Sequence, residues 1–290
     1  MNTQISPLIT IGMPVYNGMA TIDKAIRSLL AQTCADFTLI VSDNASTDGT
    51  REYLQRLQKE GDPRIVCVFQ PENLGAVRNF KALLDLANTP YFMWAASDDY
   101  WEPTFVEKNL TFLQQNPDYV ASISKVQRSD LQTSDSVEMG TLPLRDTVRN
   151  NIIRYILKPG WNSRFYGIHR TTVIQQAWIK TDFWAQDWAV MANTLLHGKH
   201  NEIQEVLMHR SAGGASSVAY KTIVQLNKGA FHTKYPLFRF TLYLFNIRPL
   251  WFSLRVWTHF LSLNLKWRRY MFRNRKAISA LMDRNSKRLS

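Results

Sequence analysis

Cysteine is scarce in this 290-residue sequence. It contains two cysteines, Cys34 and Cys67, and no CxxC pair. The low count argues against a disulfide-stabilised scaffold and against a structural zinc site, and it is typical of proteins from a reducing compartment. The hydrophobic fraction of 45% is normal for a globular protein, so extensive disorder is not expected.

Targeting and membrane-spanning segments are also missing. The N-terminal residues MNTQISPLITIGMP lack a basic stretch followed by a long apolar run, so we expect no signal peptide. No run of 18 or more residues is free of charge and apolar enough to cross a bilayer. The first predicted strand is not followed by a GxGxxG loop, which argues against a dinucleotide-dependent oxidoreductase. A basic, glycine-rich loop is absent there too, which argues against a nucleotidyltransferase.

Basic residues are concentrated at the C-terminal end. The whole chain has a formal net charge of +12. Residues 228–290 contain 14 Lys and Arg but one acidic residue, Asp283, whereas residues 1–227 contain 21 basic and 22 acidic residues. So sharp an asymmetry indicates a tail that meets an anionic surface.

Strand and helix patterns alternate over the first hundred residues. Strands are predicted at 8–16, 37–43, 64–70 and 91–96, and helices at 22–30, from residue 50 onward and at 77–87. Thr21 is expected to cap the first helix. The alternation predicts an α/β fold with a parallel, doubly wound sheet.

The pattern is less regular after residue 118. Strands are predicted at 119–127 and 165–170, a polar loop at 128–147, and helices at 171–180 and 188–196. We therefore expect one α/β domain over 1–227, followed by a helical region rich in basic and aromatic residues over 228–290.

Asp43 is the first candidate for a functional residue, because it stands where the second predicted strand ends. Ligands of open α/β sheets bind at the carboxyl ends of the strands. A carboxylate there can accept a hydrogen bond from a base N–H or a ribose hydroxyl. The alternative is that Asp43 and the nearby Asp48 only shape the loop.

Asp98 and Asp99 follow the fourth predicted strand directly. Two adjacent carboxylates repel each other unless a positive charge lies nearby. A divalent cation shared with phosphate oxygens would relieve the repulsion and act as a Lewis acid. The alternative is a solvated acidic turn.

Asp187 lies between Trp184 and Trp188, so partial desolvation is plausible. Desolvation raises the pKa of a carboxyl group and makes the carboxylate a better base. The alternative is an N-cap for the helix predicted to begin near Trp188, and the two roles are compatible.

His209 and Arg210 precede a run of small residues, 211–217. A basic pair followed by such a loop can fold over phosphates. The alternative is a flexible surface loop.

Taken in order, these segments resemble the catalytic domain of glycosyltransferase family 2, which has the GT-A fold. The matching segments are ITIGMPVYNG (9–18), VSDNASTDGT (41–50), PENLGAVRNF (71–80), SDD (97–99) and AQD (185–187). The resemblance covers residues 8 to about 217. It implies transfer of a sugar, with inversion in a single in-line displacement, from a nucleotide diphosphate sugar to a hydroxyl group of a glycan or lipid-linked acceptor. UDP is favoured as the nucleotide, and cell-surface polysaccharide or lipopolysaccharide synthesis as the setting.

The resemblance also implies roles for individual residues. Asp187 would be the catalytic base, and Asp99 would hold Mg²⁺ or Mn²⁺. The residues implied to bind the nucleotide sugar are Pro14, Tyr16, Asn17, Asp43, Asn73, Gly75, Arg78, Asp98 and Arg210.

Two positions depart from the family pattern. Gln186 stands where a glutamate often precedes the base, and Ala212 stands where many members have a histidine. A third protein ligand for the metal is therefore in doubt, and His209 has the wrong spacing to replace it. These departures leave one alternative open, a sugar-nucleotide-binding protein of the same fold with impaired turnover.

The tail has the pattern of an amphipathic helix. Leu250, Leu254, Trp257, Leu261 and Leu265 fall at helical spacing among Arg and Lys. Such a helix can lie in the headgroup layer of an anionic membrane, so we expect a cytoplasmic protein bound peripherally to the inner face of the cell membrane. The alternatives are a helical subdomain packed on the catalytic domain, or an oligomer interface. Nucleic acid is disfavoured as a partner because no nucleic-acid motif is present.

Overall fold

The chain folds around one eight-stranded mixed sheet with the strand order β3-β2-β1-β4-β7-β6-β8-β5. The computed structural model describes residues 7–128, 137, 139–211, 231, 235–247 and 254–274. The strands are β1 Ile9–Val15, β2 Phe37–Asp43, β3 Ile65–Phe69, β4 Tyr91–Trp94, β5 Tyr100–Trp101, β6 Tyr119–Arg128, β7 Ile168–Arg170 and β8 Lys199–Arg210.

Helices cover the sheet and extend beyond it. The α-helices are α1 Ile22–Leu30, α2 Thr50–Glu60, α3 Ala76–Leu86, α4 Phe105–Gln115, α5 Val148–Leu157, α6 Thr171–Ala177, α7 Gln186–Thr194, α8 Phe238–Leu244 and α9 Leu254–Arg273. Short 3₁₀ helices span Met139–Thr141 and Ser163–Tyr166. In the part of the chain described here, no helix combines the length and apolarity needed to cross a membrane.

The sheet confirms the α/β fold class but is not parallel throughout. Strands β3, β2, β1 and β4 are parallel, and so are β6 and β8. Strand β7 runs antiparallel to both β4 and β6, and β5 runs antiparallel to β8. Strands β5 and β7 have two and three residues, too few for a sequence period to indicate a direction.

Strand β4 is buried on both faces, which explains why it is apolar along its whole length. Tyr91, Met93 and Ala95 contribute to an apolar cluster on the side of α1, while Phe92 and Trp94 contribute to a second cluster on the side of α6 and α7. Alternate side chains of β4 thus enter different cores, as a strand buried on both faces requires.

The last two helices share the second cluster. Phe240 of α8 and Phe260 of α9 are fully buried and lie with their ring centroids 5.3 Å apart. The hydroxyl of Tyr243 donates to Oδ1 of Asn193 in α7, at 2.8 Å. The inner side of the tail therefore packs on the catalytic domain, as the subdomain alternative stated. The division at residues 227 and 228 stays a prediction.

Three local predictions need correction. Thr21 occupies the N-cap position of α1, but its hydroxyl donates to the Gly18 carbonyl oxygen and does not cap the helix. Residues 163–166 are 3₁₀-helical, so only the end of the segment 165–170 is a strand. Helix α7 begins at Gln186 with Ala185 as its N-cap, so Asp187 is in the first turn and is not the cap. Part of the loop predicted at 128–147 lies outside the described residues, as do residues 212–217 and Leu250.

Candidate active site

The predicted nucleotide-binding residues lie along one edge of the sheet. Strands β1, β2, β3 and β4 are parallel neighbours, so their carboxyl ends share this edge. Val15 is the register partner of Asp43. The segments that leave this edge carry Tyr16 and Asn17 after β1, Asn73 to Arg78 after β3, and Asp98 with Asp99 after β4.

The loops after β1 and β2 are hydrogen-bonded to each other. Asn17 has a left-handed φ of 52°, its N–H donates to Oγ of Ser46, and its Oδ1 accepts from the Thr47 N–H, both at 2.8 Å. Asp48 accepts from the Met19 N–H and from the Thr50 N–H. Asp48 therefore shapes these loops, whereas Tyr16 beside them is half exposed.

Asp43 is fully buried at the end of β2, and its two carboxylate oxygens already have donors. Oδ1 accepts from the Ser46 N–H at 3.1 Å, and Oδ2 accepts from Nε of Arg51 at 2.7 Å. Arg51 also donates to the Gln70 carbonyl oxygen at 2.7 Å, and its side chain keeps 31% of its surface exposed. The partly exposed guanidinium of Arg51, and not the buried carboxylate of Asp43, is therefore the charged group accessible at the end of β2. Arg51 is not among the site residues predicted from the sequence.

Asn73 organises the loop between β3 and α3. Its Oδ1 accepts from Nδ2 of Asn44 and from the Gly75 N–H, both at 2.9 Å. Gly75 precedes α3 with φ 80°, and a Cβ there would meet nothing within 4 Å. Open space at this point lets a ligand approach the backbone at the start of α3. Arg78 lies exposed in the first turn of this helix.

Asp99 connects the two halves of the sheet. It is buried, its Oδ1 accepts from the Ser211 N–H at 3.0 Å, and its Oδ2 lies 3.5 Å from Nε of Arg210. Arg210 in turn donates through Nη1 to the Trp161 carbonyl oxygen at 3.1 Å and to Oγ of Ser163 at 2.8 Å. One mostly buried guanidinium therefore links the carboxylate after β4 to the loop after α5.

Asp187 reaches the same cleft from α7. It is half buried, and its Oδ2 accepts from Nδ2 of Asn162 at 2.8 Å. The Oδ1 atom of Asn162 accepts from the hydroxyl of Tyr155 at 2.7 Å. Because the Tyr155 hydroxyl occupies the oxygen end of the amide, the nitrogen end is directed at the carboxylate. Burial raises the pKa of the Asp187 carboxyl, and the hydrogen bond from Asn162 acts in the opposite direction.

The electrostatics of Tyr166 show that these groups are close together. Burial raises the pKa of its hydroxyl, the charge of Arg210 opposes that rise, and Asp99, Asp187 and Asp98 add to it. Burial also raises the pKa of Asp98, against the charge of Arg210. The guanidinium carbon of Arg210 lies 5.0 Å from the centroid of the Tyr166 ring, so this arginine and the three aspartates all act on the same partly buried tyrosine.

The departures from the family pattern can now be located. The Nε2 of Gln186 donates to the Ile179 carbonyl oxygen at 2.9 Å, so this side chain is part of the protein interior. His209 pairs through Nε2 with Glu102 at 2.8 Å and stacks on Tyr100. Ala212 lies outside the described residues.

The carboxylates suit a cation that is shared with phosphate. Within the described ranges, no cluster of three or more His, Cys, Asp or Glu side chains could enclose a metal ion. Mg²⁺, however, is commonly held by one or two carboxylates together with substrate phosphates. Asp98 and Asp99 supply such a pair, and Asp99 is already compensated by the positive charge of Arg210.

Sequence reasoning missed the residues that hold the charged groups in place. Arg51, Tyr155 and Asn162 act through bonds that join different elements or loops, so no periodic pattern within one element marks them. The segment PGWN (159–162) could have given a signal, because glycine and asparagine favour the left-handed conformation that both adopt here, with φ 59° and 53°.

The chain belongs to glycosyl transferase family 2. The model of this family matches residues 10–173, more than half of the sequence. The resemblance predicted from the sequence is confirmed.

Two bacterial relatives illustrate the family. The provisionally named teichuronic acid biosynthesis glycosyltransferase TuaG of Bacillus subtilis (strain 168) is 35% identical over 113 residues, which are 39% of this chain and 44% of the relative. The Escherichia coli enzyme named UDP-Glc:alpha-D-GlcNAc-diphosphoundecaprenol beta-1,3-glucosyltransferase WfaP is 30% identical over 107 residues, which are 37% of this chain and 41% of the relative. The matches thus span less than half of either relative.

Solved structures confirm the GT-A fold. S. aureus TarS 1-349 in complex with UDP-GlcNAc superimposes with a TM-score of 0.60 at 17% identity, covering 88% of this chain and 78% of TarS. The mannosyltransferase PcManGT from Pyrobaculum calidifontis, in complex with GDP-Man and Mn²⁺, gives a TM-score of 0.60 at 15% identity, covering 96% of this chain and 76% of that protein.

Proposed function

We propose that this protein is an inverting glycosyltransferase that moves a sugar from a nucleotide diphosphate sugar to a hydroxyl group of a glycan or lipid-linked acceptor. The observation that carries the proposal is the position of Asp187. It is a half-buried carboxylate held by Asn162, and the residue before Asn162, Trp161, accepts a hydrogen bond from Arg210, which lies 3.5 Å from Asp99. Family membership supports the same reaction.

The donor nucleotide lies along the carboxyl edge of β1 to β4 in this proposal. The loops that hold Tyr16, Asn17 and Asn73 form its walls together with Pro14. Arg51, which Asp43 holds in place, recognises the base, Gly75 and Arg78 face the diphosphate at the start of α3, and Asp98 contacts the ribose or the sugar. We favour UDP, which is bound in the TarS structure, although the archaeal structure holds GDP-Man.

Asp99 would hold Mg²⁺ or Mn²⁺ together with the donor phosphates. When bound, the cation supplies positive charge to the departing diphosphate. Arg210 supplies a fixed positive charge from the protein itself, and its bonds to Trp161 and Ser163 hold it in place.

Asp187 takes the proton in the proposed reaction. The acceptor oxygen forms the new bond to the anomeric carbon while the bond from that carbon to the diphosphate oxygen breaks. The acceptor proton moves to the Asp187 carboxylate, and the electron pair of the broken bond leaves with the diphosphate. A carboxyl pKa raised by burial makes this carboxylate a stronger base than an exposed aspartate.

The setting proposed for the reaction is synthesis of a cell-surface polysaccharide or lipopolysaccharide. The names of the two bacterial relatives point to teichuronic acid and to a diphosphoundecaprenol-linked acceptor. A lipid-linked acceptor would require the enzyme to work at a membrane surface, and α9 has suitable properties.

Helix α9 presents different faces to the protein and to the outside. Val256, Phe260, Asn264 and Met271 are buried against the catalytic domain. A separate side of the helix carries an exposed apolar stripe, defined here as Leu254, Leu261, Leu265 and Phe272, whose members are 42% to 76% exposed.

Basic residues lie beside the apolar stripe. The exposed basic residues of α9 are Arg255, Lys266, Arg268, Arg269 and Arg273. An apolar stripe edged with cations fits the headgroup layer of an anionic leaflet, where each basic residue contributes about 1 kcal/mol. We therefore propose that α9 docks peripherally on the inner face of the cell membrane. Trp257, which the sequence placed on this stripe, stacks instead on Phe245 with ring centroids 4.3 Å apart.

A thermal-shift screen tests the proposed donor. The protein is heated with Mn²⁺ and with UDP-glucose, UDP-N-acetylglucosamine or GDP-mannose. A ligand at a hundred times its Kd stabilises the native state by about 2.7 kcal/mol, which would raise Tm by roughly 5 °C or more in a chain of this size. A UDP-sugar should give the largest shift. No shift with any of the three donors would contradict the proposed function.

A further inference from the structure

The loop between α5 and the following 3₁₀ helix places the consecutive residues Trp161 and Asn162 in opposite environments, one exposed and one buried. Gly160 and Asn162 both have left-handed φ angles, and the Asn162 N–H donates to the Pro159 carbonyl oxygen at 3.1 Å. This turn buries Asn162 at 1% exposure and leaves Trp161 60% exposed. Tryptophan is enriched at binding surfaces because it offers a large apolar ring together with a polar N–H group.

Trp161 lies beside the proposed base. Asn162, its neighbour in the chain, donates to Asp187. The carbonyl oxygen of Trp161 itself accepts from Arg210, which also lies near Asp99. The loop is therefore hydrogen-bonded to Asp187 through Asn162 and to Arg210 through the Trp161 carbonyl oxygen, and it carries an exposed indole next to these two bonds.

Arg128 adds a positive charge to the exposed ring. It is the last residue of β6 and the register partner of Arg210 on β8. Its guanidinium carbon lies 4.2 Å from the centroid of the Trp161 indole. A guanidinium stacked on an aromatic face is held in a defined orientation, and it brings a positive charge to the edge of the ring.

We propose that Trp161 and Arg128 form the acceptor subsite, and that the acceptor is a saccharide with a negative charge near its reacting ring. The C–H face of the sugar packs on the indole, and the anionic group pairs with the guanidinium. This assignment rests on the proposed function. The anionic group is a phosphate or diphosphate on the sugar, or the carboxylate of a uronic acid. A phosphate and a carboxylate would pair with the guanidinium in the same way, and the choice of acceptors in the experiment distinguishes them.

The test measures transfer to three soluble acceptors with the donor held constant. The acceptors are octyl N-acetylglucosaminyl diphosphate, octyl glucuronide and, as the neutral reference, octyl N-acetylglucosaminide. The variants are Trp161→Ala, Trp161→Phe and Arg128→Gln. Leu86→Ala is the matched control, because Leu86 is also half exposed but ends α3 at the opposite edge of the sheet. Hydrolysis of UDP-glucose, UDP-N-acetylglucosamine and GDP-mannose, in which water replaces the acceptor, is measured in parallel.

Loss of the indole should act on the acceptor alone. Trp161→Ala should raise the KM of the anionic acceptor by about tenfold or more, the size expected for a central aromatic contact, and Trp161→Phe should recover most of the loss. Donor hydrolysis and donor KM should change less than about twofold in every variant, since none of these side chains faces the nucleotide. Arg128→Gln should abolish the preference for the anionic over the neutral acceptor. Which anionic acceptor the wild type prefers identifies the source of the charge.

Three outcomes would overturn the assignment. The first is an unchanged acceptor KM in Trp161→Ala. The second is an Arg128→Gln variant that keeps its preference for an anionic acceptor. The third is a wild-type protein that hydrolyses the donor but either prefers the neutral acceptor or transfers sugar to none of the three acceptors. Failure of the proposed function has a different result, in which the wild type neither hydrolyses nor binds any of the donors.

Discussion

The hydrogen bond from Asn162 to Asp187 should set the acid limb of the pH–rate profile. Burial raises the pKa of Asp187, and the bond from Asn162 opposes that rise by stabilising the charged form. Removing the amide should therefore raise the pKa further. A hydrogen bond to a charged group is worth about 1.5 kcal/mol or more, and one pKa unit corresponds to about 1.4 kcal/mol. The expected rise is about one unit.

Asn162→Gly is the most suitable variant for this test. Asn162 has φ 53°, a conformation that glycine adopts without steric cost and that alanine would strain. The base acts when it is deprotonated, so activity increases with pH through the Asp187 pKa. The acid limb of kcat/KM should move to higher pH by about one unit, and activity at high pH should fall less than activity at low pH. The backbone hydrogen bond from Trp188 and the charge of Arg210, which also lower the pKa of Asp187, are unchanged in this variant.

Tyr155→Phe provides an independent check. The Tyr155 hydroxyl donates to the Asn162 oxygen and so directs the amide nitrogen at Asp187. Its loss should shift the acid limb in the same direction by a smaller amount, because the hydrogen bond from Asn162 remains possible. An acid limb that stays in place in both variants, with folding intact by circular dichroism, would refute the link between Asn162 and the base.

Three further predictions concern the metal, the membrane and the loops. Excess EDTA should abolish sugar transfer, and Mn²⁺ should restore it; full activity in EDTA would contradict the role of Asp99. The protein should sediment with vesicles of phosphatidylglycerol and phosphatidylcholine at low salt and less at high salt. Leu261→Asp should weaken this binding, whereas the control Val66→Asp, at an exposed apolar residue of β3, should not. Absence of binding at low salt would contradict the membrane proposal. Asp48→Ala should lower the free energy of unfolding by about 1–2 kcal/mol, measured by urea denaturation, because the N–H groups of Met19 and Thr50 lose their acceptor; a loss below about 0.3 kcal/mol would contradict its structural role.

The first half of the fold could be predicted because its signals are local. Strand β2 has the predicted bounds, and β1, β3 and β4 differ from prediction by one or two residues at their ends. Each of these strands is an apolar run between turn residues, and each helix after β1 to β3 has an apolar stripe at helical spacing. The alternation of the two patterns fixes a largely parallel arrangement, which the structure shows from β3 to β4.

The bounds of some elements in the second half were harder to predict, because contacts between segments distant in the chain determine where these elements form. Strand β7 has three residues and gains its place from pairing with both β4 and β6. Helix α7 begins one turn after Phe183 because Ala185 adopts φ 68°, a conformation that the sequence does not announce for alanine. The sequence predicts a strand within 165–170 and a helix at 188–196, but the start of each element depends on contacts and backbone angles of the folded chain.

The candidate site shows the same division. Aspartates at strand ends are visible in the sequence because the end of an apolar run marks the edge where ligands bind. The hydrogen-bond partners of each carboxylate cannot be predicted from the sequence. In the structure, Asp43 accepts from Arg51 and Asp187 accepts from Asn162. Both partners lie on other elements or loops, so their roles follow only from the folded arrangement.

The most direct test of the account compares wild-type protein with Asp187→Asn in transfer and in donor binding. Loss of the general base should reduce transfer by about 10²–10⁴-fold, while the thermal shift caused by the preferred UDP-sugar and Mn²⁺ should remain close to that of the wild type. Near wild-type transfer by Asp187→Asn would contradict the assignment of Asp187 as the group that takes the acceptor proton.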